Sequence, residues 1–239
     1  MNVILPPQWF FNIDVLIEAV SFVTILIFSI LCIKNYKLNK DKKFLYLGGA
    51  FGLITIGELI ITITKAILYY SASFIGPGGE IVIPLNIFDV VSVFYTAGFF
   101  AFRVLVLFGL YTIYKLPKNV FEKDSLLILY FVIVIAIFSQ EIVHLFHITA
   151  LIILLLIMKK YYDVYNKNGD KGTLILLIAF TGSAISNAIF IFARLMSFVY
   201  VTASVIELVS YITLLFLIIR ILQYGKRNDK KTKQNGYSI

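Results

Sequence analysis

Ionisable and polar side chains recur at helical spacing inside the long apolar runs of this sequence. Residues three, four or seven positions apart share one face of a helix. The residues that share a face in this way are Asp14, Glu18 and Ser21; Glu58, Thr62 and Lys65; Asp89, Ser92, Thr96 and Arg103; Glu141, His144 and His147; Ser183, Asn187 and Arg194; and Glu207 with Ser210. Ionisable groups at membrane depth are costly and usually face a bundle interior or water. The spacing therefore predicts a central polar cavity.

Bases and acids fall at similar depths on neighbouring helices, which predicts ion pairs across the cavity. The predicted pairs are Lys65 with Asp89, Arg194 with Glu207, and Glu58 with Arg103. The first two are expected near the outer mouth, and the third is expected near the middle of the membrane. Such pairs either only hold a bundle together or serve a solute or a proton that crosses the membrane.

If the cavity binds a solute, these residue types indicate how it would do so. Basic side chains would attract an anionic group, and a buried carboxylate would carry a coupling proton. The predicted solute-binding residues are Lys65, Arg103, Arg194, Glu58, Asn187, Asp89 and Glu207. The candidates for the coupling proton are Asp14, Glu18 and Glu58.

The segment Glu141-x-x-His144-x-x-His147 is the one motif with metal-like chemistry. A glutamate and a histidine three residues apart can share a metal on one helical face. Glu141 and His147, however, are six positions apart and point away from each other. Three interpretations stay open, namely a weak metal site, a pH-responsive pair of histidines and histidines that simply line a pore. No cofactor is predicted.

The composition excludes a soluble globular domain. Of the 239 residues, 60% are hydrophobic and only 14% are charged, whereas about a quarter are charged in soluble domains. The unbroken apolar runs also exclude an outer-membrane β-barrel, whose strands alternate in polarity. The single cysteine, Cys32, cannot form an intrachain disulfide or a cysteine-based metal cluster. No secretory signal is expected, because the first lysine, Lys34, follows the first apolar run.

The hydropathy pattern predicts an all-α membrane protein with seven transmembrane helices. Their expected ranges are 12–34, 44–70, 87–115, 124–139, 141–163, 172–198 and 203–224. Lysine and arginine are concentrated in loops 1–2, 3–4 and 5–6 and in the tail, whereas the alternate loops hold none. The positive-inside rule then places the N-terminus outside and the tail in the cytoplasm. The net charge of +8 thus reflects membrane topology and does not indicate a nucleic-acid partner. Trp9 and the Tyr69-Tyr70 pair are expected at the outer interface.

The sequence predicts an internal repeat. A shift of 129 residues aligns ten identical residues over positions 36–65, among them the polar signature Tyr-x-x-Asn-x-Asp-Lys at 36–42 and 165–171. Helices 1–3 then correspond to helices 5–7, and helix 4 is a linker, so the two triplets are parallel repeats. The expected segments are a first repeat at 1–115, a linker helix at 116–140, a second repeat at 141–225 and a basic tail at 226–239. The Gly48 and Gly52 pair predicts a close helix contact.

The 3+1+3 layout resembles that of the PQ-loop and SWEET-type transporters and, in outline, that of opsins and other seven-helix receptors. The first resemblance implies a carrier in which one triplet rocks against the other around a central site. The only Pro-Gln pair, Pro7-Gln8, precedes helix 1 and has no second copy. Helix 7 contains no lysine that could hold retinal.

The leading hypothesis is a carrier for a small polar or anionic solute, located in the cell membrane as a multi-pass protein. Three alternatives stay open, namely a seven-helix receptor or sensor, a structural or assembly subunit, and a metal-dependent membrane enzyme. Catalysis has little support, since no nucleophile–base spacing and no phosphate-binding glycine loop is present. The expected partners are the lipid bilayer and the solute, and the sequence carries no signal for oligomeric state.

Overall fold

The computed structural model describes residues 6–72, 85–116, 124–139, 142–169, 171–193 and 195–235. These residues form a short 3₁₀ helix, Gln8–Phe10, and seven α-helices. The helices are α1 (Phe11–Asn39), α2 (Lys42–Ala72), α3 (Leu85–Lys115), α4 (Asp124–Phe138), α5 (Val143–Asn168), α6 (Lys171–Phe190) and α7 (Ser197–Asn235). The all-helical class is as the hydropathy pattern predicts.

Six of the seven helices in the described part of the chain are long and apolar enough to cross a membrane. The exception is α4, which has 15 residues and is therefore about 22 Å long at about 1.5 Å per residue. The hydrocarbon core of a bilayer is about 30 Å thick. A multi-pass membrane protein follows from the six long helices, and a seventh full crossing stays a prediction.

The six long helices pack in a ring, and α4 lies beside it. Consecutive helices pack within each triplet, α1 on α2 on α3 and α5 on α6 on α7. Contacts between α3 and α5 and between α1 and α7 close the ring. The linker helix α4 packs against α3 and α5. The interior of the ring is thus bounded by both triplets.

Two contacts fix the relative directions of the helices. Tyr200, near the start of α7, hydrogen-bonds Asp14, near the start of α1, so these helices run the same way. Lys160, late in α5, donates to the carbonyl oxygen of Tyr114 at the end of α3 with an N–O distance of 2.8 Å. Helices α3 and α5 are therefore also parallel. Which end of the bundle faces the cytoplasm stays a prediction.

The turns after α1 and α5 have the same geometry. Helix α1 is capped by Lys40 in a left-handed conformation (φ 56°), and the Lys40 N–H donates to the Tyr36 carbonyl oxygen at 2.7 Å. Helix α5 is capped by Gly169 (φ 62°), and the Gly169 N–H donates to the Tyr165 carbonyl oxygen at 2.7 Å. These positions are 129 residues apart, the spacing of the predicted repeat. The repeat itself remains a prediction.

Glycine lets α2 lie close to both of its neighbours in the first triplet. A Cβ at Gly48 would lie 2.8 Å from the Cγ1 atom of Ile33 and 3.1 Å from the Ser29 carbonyl oxygen, both on α1. Ser29 also donates its hydroxyl proton to the Gly48 carbonyl oxygen at 2.7 Å. On the other side, a Cβ at Gly109 of α3 would lie 2.9 Å from the Ala50 carbonyl oxygen. The helix contact predicted at Gly48 is confirmed.

The helix ends differ most from the predicted ones at α6 and α7, and α1 and α5 each continue five residues past their predicted ends. Helix α6 stops at Phe190, eight residues early, and α7 begins at Ser197, six residues early. The chain turns at residues 191–193, which are as apolar as the helices, so hydropathy gives no boundary there. Helix α7 continues to Asn235, well past the predicted end at 224. A search for apolar runs does not detect a helical segment whose residues are polar.

Candidate functional site

A cavity of about 130 Å³ lies inside the ring of helices. Its described walls come from α1, α2, α3, α5, α6 and α7 and include no residue of α4. The charged and polar side chains in the walls are Glu18, Glu58, Lys65, Tyr69, Tyr95, Arg103, His147, Ser183, Asn187, Tyr200, Glu207 and Tyr211. The remaining lining is apolar, with Phe51, Ile54, Phe102, Phe146 and Leu154 among it. A polar cavity shared by both triplets is therefore present.

The Lys65 ammonium group is the centre of a network at the end of the bundle where α1 and α7 begin. Lys65 is 7% exposed and forms ion pairs with Asp14, at 3.2 Å, and with Glu18. It also donates to the Tyr200 hydroxyl oxygen at 2.9 Å. An ammonium group has three donors, so all three are used. The network links α2 with α1 and with α7, which belongs to the second triplet.

Asp14 is fully buried and accepts hydrogen bonds from two tyrosines as well as from Lys65. The Tyr69 hydroxyl donates to Oδ2 at 2.5 Å, and the Tyr200 hydroxyl lies 3.1 Å and 3.2 Å from the two carboxylate oxygens. The Tyr69 ring also stacks on Phe11 with 4.4 Å between the centroids. Asp14 is not a wall residue of the cavity. From its position behind the wall, Asp14 connects α1 with α2 and α7 through these contacts.

A second acidic group lies deeper, where one tyrosine joins two carboxylates. The Tyr211 hydroxyl is 3.0 Å from the Oε1 atom of Glu207 and 3.3 Å from the Oε1 atom of Glu58. Because a hydroxyl has one proton, Tyr211 can donate to only one of them at a time. Glu58 is 2% exposed. In the part of the chain that the structure describes, neither carboxylate forms an ion pair.

The Arg103 guanidinium group lies in the cavity wall on α3 without a carboxylate partner among the described residues. The side chain is 5% exposed, and its Nη1 atom is buried with no hydrogen-bond partner. The guanidinium group lies over the ring of Phe99, whose centroid is 5.7 Å away. The Nη1 donors of this guanidinium group are therefore satisfied by no described residue.

His147 and Asn187 connect α5 with α6 on the opposite wall. The Nδ1 atom of His147 lies 3.1 Å from the Oδ1 atom of Asn187, and the Asn187 amide nitrogen donates to the Ser183 carbonyl oxygen at 3.0 Å. Because Oδ1 can only accept, the proton belongs on Nδ1 of His147, and Nε2 of a neutral ring is left as an acceptor. The ring also stacks on Phe190.

Metal binding receives no support from the described residues. They contain no group of three or more histidine, cysteine, aspartate or glutamate side chains that could hold a metal ion. Glu141 lies outside the described residues, and the Nδ1 atom of His144 is buried without a hydrogen-bond partner. His147 uses its own Nδ1 on Asn187. The two described members of the predicted set, His144 and His147, therefore form no metal site with other described residues.

The ion pairs differ from those predicted. Glu58 and Arg103 are both described, and they do not pair, since Glu58 contacts Tyr211 instead. Lys65 pairs with acids of α1, whereas its predicted partner Asp89 has a side chain outside the described set. Arg194, the predicted partner of Glu207, also lies outside it. The physical reason is helix order, because α2 packs against α1 as well as α3.

Five of the predicted solute-binding residues lie together in the wall, namely Lys65, Arg103, Glu58, Asn187 and Glu207. Of the three candidates for the coupling proton, Glu18 and Glu58 line the cavity and Asp14 does not. Tyr69, expected at the membrane interface, is 6% exposed and bonded to Asp14, so it faces the protein, and its depth in the membrane stays a prediction. Trp9, expected at the same interface, is 64% exposed.

Sequence reasoning missed the tyrosines of the site. Tyr69, Tyr200 and Tyr211 each bond an acid, and Tyr95 is also a wall residue. A signal was available for two of them, because Tyr69 is four residues after Lys65 and Tyr211 four after Glu207, on the same helical faces. With 15 tyrosines in the chain, that spacing did not stand out.

No protein-family model matches the chain, and neither a curated protein nor a solved structure is significantly similar to it.

Proposed function

We propose that this protein is a membrane carrier for a small polar or anionic solute, which binds in the central cavity. The observation that carries the proposal is Arg103, a buried cation in the cavity wall with an unpartnered Nη1 atom. A buried charge is unfavourable unless it is paired. The guanidinium group presents parallel N–H donors that match a carboxylate or phosphate. An anionic group of the solute would supply that partner.

Alternating access would come from rocking one triplet against the other. The cavity walls come from both triplets, so any relative movement changes access to it. The Lys65 network would act as a closure at one end, because it joins α1 and α2 to Tyr200 of α7. All three Lys65 donors are used there, which favours Arg103 over Lys65 as the anion-binding group.

A coupling proton would be carried by Glu58 or Glu18, since both are wall residues. Glu18 forms an ion pair with Lys65, whereas Glu58 forms none with a described residue and lies beside Tyr211 and Glu18. Glu58 is therefore the preferred candidate. Replacing it by glutamine keeps its size and removes the exchangeable charge.

A sensor is the second candidate function, and the length of α7 favours it. This helix has 39 residues and is about 58 Å long at about 1.5 Å per residue. The helix is thus nearly twice as long as the bilayer core is thick, which is about 30 Å. An unbroken helix could transmit a change in the cavity to a partner beyond the membrane.

Uptake into sealed vesicles tests the carrier proposal. The purified protein would be reconstituted and offered labelled small carboxylates, phosphate and neutral polar solutes, under a proton gradient of either sign. We expect saturable uptake of an anionic or zwitterionic solute, its loss in Arg103→Gln and loss of its gradient dependence in Glu58→Gln. The matched control is Tyr111→Phe, which also removes a buried unpartnered polar atom but does not line the cavity.

The opposite result separates the alternatives. A protein that takes up none of these solutes and copurifies in fixed ratio with another chain would be a sensor or an assembly subunit. Uptake that is unchanged in Arg103→Gln would place the solute elsewhere and refute the role given to that residue.

A further inference from the structure

Two sets of charged side chains in the cavity wall have no oppositely charged partner among the described residues, namely Arg103 on one side and the pair Glu58 and Glu207 on the other. The Lys65 ammonium group is matched by Asp14 and Glu18 at one end. Arg103 then remains as a cation on α3 without an anionic partner among the described residues. Glu58 on α2 and Glu207 on α7 remain as acids that share one tyrosine hydroxyl. An anion alone would match Arg103 and leave the acids unmatched.

The volume limits the solute to a few atoms. A cavity of about 150 Å³ takes up benzene, which has about six non-hydrogen atoms, and this one is about 130 Å³. Much of the remaining wall is apolar and suits a solute with few further polar groups. A sugar, a nucleotide or a dipeptide is too large for this space.

We infer that the solute is a small zwitterion of about six non-hydrogen atoms, with its carboxylate at Arg103 and its ammonium group at Glu58 and Glu207. The inference rests on the carrier function proposed above and names the substrate class of the same cavity. A carboxylate can accept two parallel hydrogen bonds from a guanidinium group. An ammonium group has three donors, enough for the two carboxylates. Small amino acids such as alanine and β-alanine have this chemistry and size.

A matched series of ligands tests the inference on the unmodified protein. The series is alanine and β-alanine, propionate, which lacks the amine, and ethylamine, which lacks the carboxylate. Binding is followed through the rise in unfolding temperature of the detergent-purified protein, since a ligand that binds only the native state stabilises it. We expect a rise with one or both amino acids and none with propionate or ethylamine at the same concentration.

Two variants test where the carboxylate and the ammonium group of the ligand bind. Arg103→Gln and Glu58→Gln should each weaken amino-acid binding about 10- to 100-fold, because each removes a hydrogen bond to a charged group. Tyr111→Phe is the control and should bind as the unmodified protein does. If Arg103→Gln does not fold, Arg103→Lys keeps the charge and loses the parallel donors. The ligand series decides the inference even without the variants.

The outcomes distinguish this inference from the carrier proposal. Propionate that binds as tightly as the amino acids, with no effect of Glu58→Gln, overturns the zwitterion and leaves an anion carrier. Ethylamine that binds as tightly as the amino acids overturns the zwitterion and the anion-binding role given to Arg103. If none of the four compounds binds, the zwitterion is overturned, and uptake of a different anion in sealed vesicles decides whether the carrier stands.

Discussion

The Lys65 network makes a quantitative prediction about the stability of the bundle. Replacing Lys65 by methionine keeps the length of the side chain and removes the ammonium group. Asp14, which is fully buried, then loses its only cationic partner among the described residues. Removing one partner of a buried ion pair destabilises a protein by about 3–5 kcal/mol. The two tyrosines that still donate to Asp14 favour the lower end, about 3 kcal/mol.

A double-mutant cycle separates the ion pair from lost packing. Asp14→Asn removes the charge and keeps an oxygen that Tyr69 and Tyr200 can donate to. In the double variant no carboxylate is left at position 14, so its destabilisation should be less than the sum of the single effects. Residues in one network show interaction energies of about 0.5–3 kcal/mol, and we expect about 2 kcal/mol here because both groups are buried. The free energy of unfolding is measured by titration with a denaturing detergent.

The matched control is the cycle of Glu18→Gln with Lys65→Met. The Glu18 side chain is 18% exposed, whereas that of Asp14 is 1% exposed, so water can replace the lost ammonium at Glu18 more readily. The Glu18 cycle should therefore give the smaller interaction energy. An Asp14 cycle below about 0.5 kcal/mol, or a Glu18 cycle that equals it, would refute the role of the network.

Three further predictions concern packing, the shared hydroxyl and topology. Gly109→Ala should destabilise the protein by about 1–3 kcal/mol through overpacking, because its Cβ would lie 2.6 Å from an isoleucine of α2. The control is Gly49→Ala, whose Cβ meets nothing within 4 Å and which should be nearly neutral. Both free energies of unfolding are measured by titration with a denaturing detergent. Tyr211→Phe removes a buried donor and should cost about 1–3 kcal/mol in the same titration, and an unchanged midpoint would contradict the shared hydrogen bond. With the native cysteine replaced, a thiol at Trp9 should react with an impermeant reagent on intact cells and one at Lys40 only after permeabilisation, and the reverse pattern would overturn the positive-inside orientation.

The helices were predictable because apolar runs of membrane length leave little choice of fold. The ends of α6 and α7 were not, since residues 191–193 turn without any change in composition. The extension of α7 past 224 was missed for the opposite reason, because its polar residues end the apolar run while the helix continues. Local spacing therefore predicts which segments are helical more reliably than where they stop.

The sequence predicted which helical faces line the polar interior. Glu58, Lys65, Arg103, Asn187 and Glu207 all line one cavity, as their spacing indicated. Which group contacts which was not predictable, because a partner depends on the order of the helices around the ring. The α1–α7 contact brings Tyr200 to a carboxylate 186 residues away, and no local pattern encodes such a contact.

Solute counterflow in proteoliposomes tests the central proposal most directly, since it needs no driving force and reports movement through the protein alone. Vesicles loaded with unlabelled β-alanine are diluted into labelled β-alanine. The carrier proposal predicts a transient accumulation of label with the unmodified protein and with Tyr111→Phe, and none with Arg103→Gln. Label that accumulates equally in Arg103→Gln would contradict a carrier whose solute is held by Arg103. So would label that never accumulates with a β-alanine, alanine or propionate load, together with no uptake of any other small anion.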